Sequence, residues 1–341
     1  MRLYIRQRGD KMLPIEEIEK KFYNKKILFI STKNLDYIRN TQEINWLKGL
    51  ASEIEIICHP SNNYFIRLFF VYLKLLPKLI KRDFDGLFLG FAPQLLFPYF
   101  PFLPKNKLIV MDFFISFYDT LVDDRKKIKD NTFFSKALHF WDRKTLEKAD
   151  CVVVDTKAHG EFFSEEFRIN KRKIGVLYIE ADSSIYQPHP REKNAKFEVI
   201  YFGSILPVQG IQVILDALKL LNNHSEIHFT LIGPIGSKFQ VNEMDFPNVT
   251  FIPWVTQKDL AEYINQADLA LSGHFSSTVG KANRTIAGKT YIYLAMQKKI
   301  ILGDSDANRE LYKPSTNIFY VERGNPQALA NLIMDISSGN P

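Results

Sequence analysis

Gly203 and Gly210 frame the stretch whose residue types and spacing point most directly to chemistry. The apolar run Val199 to Phe202 reads as a buried strand that enters Gly203. The short loop Ser204 to Gln209 follows, and after Gly210 the residues Ile211, Ile214, Leu215 and Leu218 share one helical face. A glycine at such a strand-to-helix turn lets backbone N–H groups approach an anion, and the helix start adds about half a positive charge. Diphosphate is the guest that fits. The strand-then-glycine pattern recurs at IHFTLIGP, ending on Gly233, and at IILGD.

Carboxylates supply the second candidate chemistry. Asp112 ends the apolar run KLIVMD, and Asp119, Asp123, Asp124 and Arg125 follow closely. Paired carboxylates can serve as a general base or bind hydroxyl groups, and they can equally be caps or salt-bridge partners. The seven histidines form no constellation, and His59 and His274 read as solvated loop residues. Cys58 and Cys151 border apolar strand-like runs and read as buried thiols in a reducing compartment. No second Cys or His lies at ligand spacing, so a metal site is not expected. Asp304-Ser305-Asp306 spells an Asp-x-Asp pair but sits at a helix start, where acidic residues serve as N-caps.

These groups must be positioned by two alternating β/α halves. Strand-like runs at 26–31, 53–58, 86–91, 107–112 and 151–155 alternate with helical patterns near 38–50, 64–82 and 133–149, and a last helix and strand reach about 179. Such alternation predicts an α/β fold with parallel sheets covered on both faces. Residues 182–196 lose periodicity and collect prolines and charges, which predicts a linker. Residues 1–181 then form one domain and 197–341 a second, as the length of 341 residues also suggests. No short-period repeat points to a solenoid or propeller.

The composition, 46% hydrophobic and 24% charged, is that of an ordinary globular protein, and the net charge of +7 favours anionic partners. No basic stripe with interleaved aromatics accompanies a nucleic-acid module, so nucleic acid is not expected as a partner. The first residues lack an apolar h-region, and no run approaches the roughly 18 apolar residues of a spanning helix. Residues 64–82 interleave Arg67, Lys74, Lys78, Lys81 and Arg82 with Phe65, Leu68, Phe69, Phe70, Leu73, Leu76 and Leu79. This is either a basic amphipathic helix for an anionic membrane face or a core helix with a solvated basic side, kinked at Pro77.

Three stretches, YDTLVDDR at 118–125, GSILPVQG at 203–210 and KANRTIAGKTYIYLAM followed by GDSDANREL, together resemble retaining glycosyltransferases of the GT-B fold. The chain is similar to glycosyltransferase family 4 and to a polysaccharide-biosynthesis branch of it over roughly residues 25–337. The resemblance implies two Rossmann-like domains facing across a cleft, the first meeting the acceptor and the second the nucleotide-sugar, with no metal and no cofactor.

The resemblance also implies roles. Gly203 and Ser204 would bring backbone amides and a small side chain to the sugar diphosphate, with Gln209, Gly233, Thr290 and Glu310 also on the donor side. Lys289 takes the family's basic position inside the following helix, where an ammonium neutralises the leaving diphosphate. Lys281 and Arg284 join it or are solvated charges. Trp254 and Val255 fall where the family holds the base, although Trp254 can equally be a core residue. Asp112 and Asp119 would orient substrate and stabilise oxocarbenium-like charge, and Asp36, Arg39 and Asn40 would meet the acceptor.

The family's two glutamates, with seven residues between them, are replaced by Arg284 and Ile292, and the lysine before Gly210 is Gln209. Loss of the ribose-binding carboxylate removes charge-assisted hydrogen bonds of about 1.5–3 kcal/mol. The expectation is a cytoplasmic, membrane-peripheral enzyme that moves a sugar from a nucleotide-diphosphate donor to a saccharide or lipid-linked acceptor with retention, for a surface polysaccharide. Its competitors are a non-catalytic GT-B subunit or carbohydrate-binding relative with a degraded donor site, and an epimerase of the same fold.

Overall fold

The structure is a computed structural model that describes residues 11–239 and 241–339. Residues 1–10, which carry most of the stretch read for a signal sequence, lie outside them. The described residues divide into two compact units, one ending at Ile179 and one beginning at Glu180, with Asp123–Arg125 grouped with the second.

The first unit runs α1 (Ile15–Phe22), β1 (Lys26–Ile30), α2 (Ile38–Lys48), β2 (Glu53–Ile57), α3 (Tyr64–Lys81) and β3 (Gly86–Leu89). A 3-10 segment (Pro93–Phe102), β4 (Leu108–Asp112) and a π-helical turn (Asp119–Asp124) follow, then α4 (Phe133–Lys148), β5 (Cys151–Val154), α5 (Lys157–Phe167) and β6 (Ile174–Val176). All strands are parallel, in the order β2-β1-β3-β4-β5-β6. Strands such as CVVV and GLFL are buried throughout because helices cover both sheet faces. Side-chain caps start the helices: Asn63 accepts from the Phe65 and Ile66 amides, Thr132 from Ser135, and Thr156 from His159.

Helix α3 departs from the basic face read in the sequence. Arg67 lies in phase with Val71, Leu75 and Leu79 on the inward side. Its guanidinium donates to Thr32 O at 2.9 Å, Ser61 O at 2.7 Å and Asn34 Oδ1 at 2.5 Å. Five donors on a planar fork let it staple three carbonyl-type acceptors, so the charge serves the loop after β1. Leu79 is likewise buried.

The second unit runs β7 (Phe197–Phe202), α6 (Ile211–Leu220), β8 (Ile227–Ile232), α7 (Ile235–Lys238), β9 (Val249–Ile252) and α8 (Gln257–Gln266). It continues through β10 (Leu269–Gly273), α9 (Lys281–Arg284), α10 (Gly288–Ala295), β11 (Lys299–Gly303), α11 (Asp306–Leu311), β12 (Ile318–Val321) and α12 (Pro326–Ser337). Its parallel order, β12-β11-β10-β7-β8-β9, is the doubly wound order that reverses direction between β7 and β10. Ile214 and Leu218 of α6 pack with Leu329 and Ile333 of α12 on one face, and Leu260, Ile264, Ile292 and Tyr293 pack on the other.

Residues 182–196, read as a linker, contain no helix or strand but are anchored on this unit. Tyr186 is buried in its core, the Arg191 guanidinium pairs with Asp268, and Asn194 donates to Gln266 O at 2.7 Å.

Candidate functional site

In a doubly wound sheet, ligands are met outside the carboxyl ends of the strands at the point where the winding reverses. In the second unit that point is flanked by Gly203, after β7, and Gly273, ending β10. Lys289 on α10 points its ammonium between them. A Cβ on Gly203 would lie 2.8 Å from Lys289 Nζ, and one on Gly273 would lie 3.2 Å from Gln209 Oε1 and 3.9 Å from Nζ. Lys289 donates to Gln209 Oε1 at 2.8 Å and stands 3.8 Å from the centroid of the Tyr201 ring. Tyr201, fully buried, donates its hydroxyl to the same Gln209 oxygen at 3.4 Å.

This acceptor is neutral, and among the described residues Lys289 joins no ion pair. Only 6% of Lys289 is exposed, and burial pushes its ammonium well below the ordinary lysine range. A buried cation without a counter-ion is costly unless a ligand supplies the charge.

Gly203 takes a different part from the one read in the sequence. Its own N–H is spent on Ile232 O at 3.0 Å, continuing the ladder. What Gly203 supplies is the missing Cβ, which leaves room for the lysine. The turn ends at the start of α6, where Gly210 has φ +67° and its N–H donates to Pro207 O at 3.2 Å. A Cβ there would lie 2.6 Å from the backbone of Phe275 and Ser276, so both conformation and space require glycine. Ser204 is half-buried in the loop between them. A Cβ on Gly233 would lie 2.4 Å from Gly203 O, which makes this glycine a close-packing residue.

The remaining donor-side candidates divide between anchoring and surface positions. Thr290 is fully buried and shares a 2.6 Å hydrogen bond with Ser272 of β10, and Tyr293 accepts from the Phe202 amide at 3.2 Å; both fasten α10 to the sheet. Trp254 is 56% exposed, which removes the core reading, whereas Val255 packs against the apolar core. Arg284 donates to Asp123 Oδ2 at 3.1 Å, and Lys281 is half-buried one turn earlier. Glu310 is half-buried on α11. The cap of α11 is Ser305, accepting from the Asn308 amide at 3.1 Å, while Asp304 pairs with Arg309 through its Oδ2 at 2.7 Å, so neither aspartate is the N-cap. His274 is buried, with Nδ1 3.2 Å from Thr285 O, and is not a solvated loop residue.

In the first unit the structure brings Asp112 and Arg39 together. Asp112 Oδ1 accepts from Arg39 Nη2 at 2.9 Å, Arg39 Nε lies 3.2 Å from Glu43 Oε1, and the guanidinium also donates to Leu177 O. All three side chains are buried, so the site read as catalytic at Asp112 and acceptor-facing at Arg39 is an internal ion cluster joining α2 to β4. Two buried carboxyl groups share one arginine here, and burial and the Asp112 charge raise the Glu43 carboxyl well above the usual range. Asn40 is also buried, donating to Asn34 O at 2.7 Å, and Asp36 alone of that trio is exposed. His59 is half-buried and stacks on Phe70 with centroids 4.4 Å apart. Cys151 is buried and Cys58 half-buried, both free thiols raised by burial.

Asp119 is fully buried and belongs to a second cluster that the sequence did not disclose. His159 of α5 sits with Nδ1 2.7 Å from Asp155 Oδ1 and Nε2 4.0 Å from Asp119 Oδ2. The loop leading to Asp119 is held by Asp142 of α4, whose carboxylate accepts from Ser116 Oγ at 2.6 Å, Tyr118 N at 2.8 Å, Phe117 N at 3.2 Å and Gln94 Nε2 at 2.8 Å. The only sequence signals for this cluster are polar residues in otherwise apolar surroundings. Among the described residues no group of three or more His, Cys, Asp or Glu is arranged to hold a metal ion.

Residues 196–338 match the family model described as "Glycosyl transferases group 1". No curated protein matches the chain significantly. Among solved structures, a sucrose-phosphate synthase from Thermosynechococcus elongatus is similar with a TM-score of 0.69 at 12% identity, over 93% of this chain and 90% of that one. HepE from Anabaena, in complex with UDP-glucose, is similar with a TM-score of 0.62 at 14% identity, over 92% and 90%. A glycosyltransferase from Rickettsia africae gives 0.59 at 16% identity, over 93% and 89%. At these identities the likeness speaks to architecture alone. With two parallel, doubly wound six-stranded units, the chain has the two-domain GT-B fold, and its residues 196–338 match the Glycosyl transferases group 1 model.

Proposed function

We propose that this protein transfers a sugar from a nucleotide-diphosphate donor, bound at the reversal point of the second unit, to a saccharide or lipid-linked acceptor met by the first unit. The anomeric configuration is retained and the product is a surface polysaccharide, assembled at the inner face of the cytoplasmic membrane. The observation that carries this reading is Lys289. It is a buried ammonium without a counter-ion, beside two glycines and near the start of a ten-residue helix, inside the domain that matches the glycosyltransferase family.

In this reading the diphosphate supplies the missing negative charge. As the sugar–oxygen bond breaks, negative charge grows on the departing diphosphate, and Lys289 with the α6 amides meets it, an arrangement that lowers the barrier because it is already in place. The acceptor hydroxyl attacks the face that the diphosphate leaves. Trp254 presents an exposed indole beside the nucleotide base, and HepE's complexes with UDP and UDP-glucose favour uridine.

Thermal-shift titration with UDP, GDP, ADP and their sugars tests this. Stabilisation follows RT ln(1 + [L]/Kd), so even a millimolar site shifts the midpoint at sufficient ligand. UDP or a UDP-sugar is expected to raise it, and no shift with any nucleotide would overturn the reading.

A second reading has its own observation. Ile292 stands at the ribose-carboxylate position, 9% exposed and packed in the apolar core, which favours a relative that keeps the fold and binds saccharide without turnover. Nucleotide binding with no transfer or donor hydrolysis would select it.

A further inference from the structure

Helix α3 turns an apolar stripe outward. Phe65, Phe69, Leu73, Leu76 and Ile80 follow one another at four- and three-residue steps, and they are 80%, 59%, 55%, 42% and 74% exposed. The stripe extends about 22 Å along the axis. No Asp or Glu occurs from Tyr64 to Arg82, and Lys81 and Arg82 stand exposed at the helix end. Beside that end lies a groove of about 430 Å³, lined by Leu76, Leu79, Ile80, Pro101, Phe102 and Arg82.

The far wall of the groove is fixed. Tyr99 donates to Tyr72 O at 3.1 Å and Tyr72 donates to Leu95 O, which bind the 3-10 segment to α3. Phe102, 57% exposed, continues the apolar surface across the groove.

We propose that α3 lies in the surface of an anionic bilayer and that this groove takes one hydrocarbon chain of an anionic phospholipid, with Arg82 and Lys81 on its phosphate. The chemistry on each side matches. Five consecutive outward apolar positions cannot be covered by the helix itself, a continuous apolar patch of this kind marks an interaction surface, and the charges on the helix and its cap are cations, while Asp83 beyond the cap is paired with Lys26 at 3.4 Å. Arg67, turned inward, contributes nothing to membrane attraction. Lys78 is paired with Glu55 at 2.6 Å and Lys74 donates to Cys58 O at 3.3 Å, so the attraction is concentrated at the groove mouth. This proposal is independent of the nucleotide-sugar reading.

Vesicle sedimentation of the full chain tests it, using phosphatidylcholine with and without phosphatidylglycerol. Binding is expected only with the anionic lipid, falling as salt screens the surface within about 10 Å at 0.1 M. Ile80→Glu and Phe69→Glu, both at exposed positions, should each weaken binding at least tenfold with an unchanged melting midpoint. Arg82→Gly should weaken it about fivefold, the loss of one charge near an anionic surface. Arg82 has φ +54°, a conformation glycine adopts freely, so that variant keeps the helix end.

Leu76→Trp places an indole in the groove, and lipids brominated along their acyl chains should quench it. Binding without this quenching overturns the groove assignment. Equal recovery with neutral and anionic vesicles overturns the surface. A lipid-free dimer that Ile80→Glu dissolves would assign the stripe to a second copy and overturn the proposal as well.

Discussion

Lys289→Ala isolates a buried cation that, among the described residues, joins no ion pair. The side chain makes a 2.8 Å hydrogen bond to neutral Gln209 and a 3.8 Å approach to the Tyr201 ring, and its ammonium is held well below the ordinary lysine range by burial. Removing it should cost the transition state about 3 kcal/mol, a hundredfold or more in kcat/KM, because a preorganised donor to the departing diphosphate is lost. The fold should not suffer in step. A group whose folded pKa is depressed below its unfolded value of about 10.4 gives the unfolded chain the greater proton affinity, so the ligand-free protein loses stability as pH falls through the window between the two values. The wild-type protein should therefore gain stability relative to Lys289→Ala as pH rises through that window. Lys298, pushed to about 8 by burial, titrates alike in both proteins and cancels. Nucleotide binding should also restore the charge, so calorimetry in buffers of different ionisation enthalpy should report proton uptake in the wild type and none in the variant. Equal UDP affinity, equal turnover and equal proton uptake in Lys289→Ala would refute the assignment of this residue to the diphosphate.

Asp112→Asn leaves the buried Arg39 guanidinium short of its counter-ion and should destabilise by about 3–5 kcal/mol in denaturant unfolding. Glu43→Gln should cost less than Asp112→Asn, since burial and the Asp112 charge already raise that carboxyl well above the usual range; a raised folded pKa contributes stability that is lost as pH rises through it, so the variant should gain on the wild type as pH rises. Ile292→Glu puts a carboxylate into a packed apolar site and should lower stability by about 1–3 kcal/mol, while a gain in UDP affinity of up to about tenfold would show that the new group reaches ribose. Gly203→Ala, placing a Cβ 2.8 Å from Lys289 Nζ, should displace the ammonium and reproduce the Lys289→Ala loss of donor binding with a smaller change in melting midpoint.

Local periodicity made the architecture readable. Short β-branched apolar runs such as CVVV read as strands buried on both faces, and their alternation with helical patterns points to parallel pairing through crossovers. The turn from Gly203 to Gly210 was legible for the same reason, since a strand, a glycine and a helix start within a dozen residues define a backbone geometry without distant partners. Which strand order results, and hence that Gly203 and Gly273 flank the reversal point, is a long-range matter.

Side-chain meetings across many residues were decided only by the tertiary structure. Lys289 reaches Gln209, Arg39 reaches Asp112, and His159 reaches Asp119, each pair on different elements brought together by sheet order. A carboxylate at a strand end reads alike whether it faces substrate or a buried arginine, because spacing within one element carries no information about the partner. Helix α3 shows the limit most directly. Its sequence contains one apolar line through 71, 75 and 79 and another through 65, 69, 73, 76 and 80, and hydrophobicity alone does not choose between them. Arg67 is in phase with the first line, and its guanidinium finds three backbone and side-chain acceptors around the loop after β1 only because the chain returns there. Those hydrogen bonds compensate the burial of a charge and turn the second line outward.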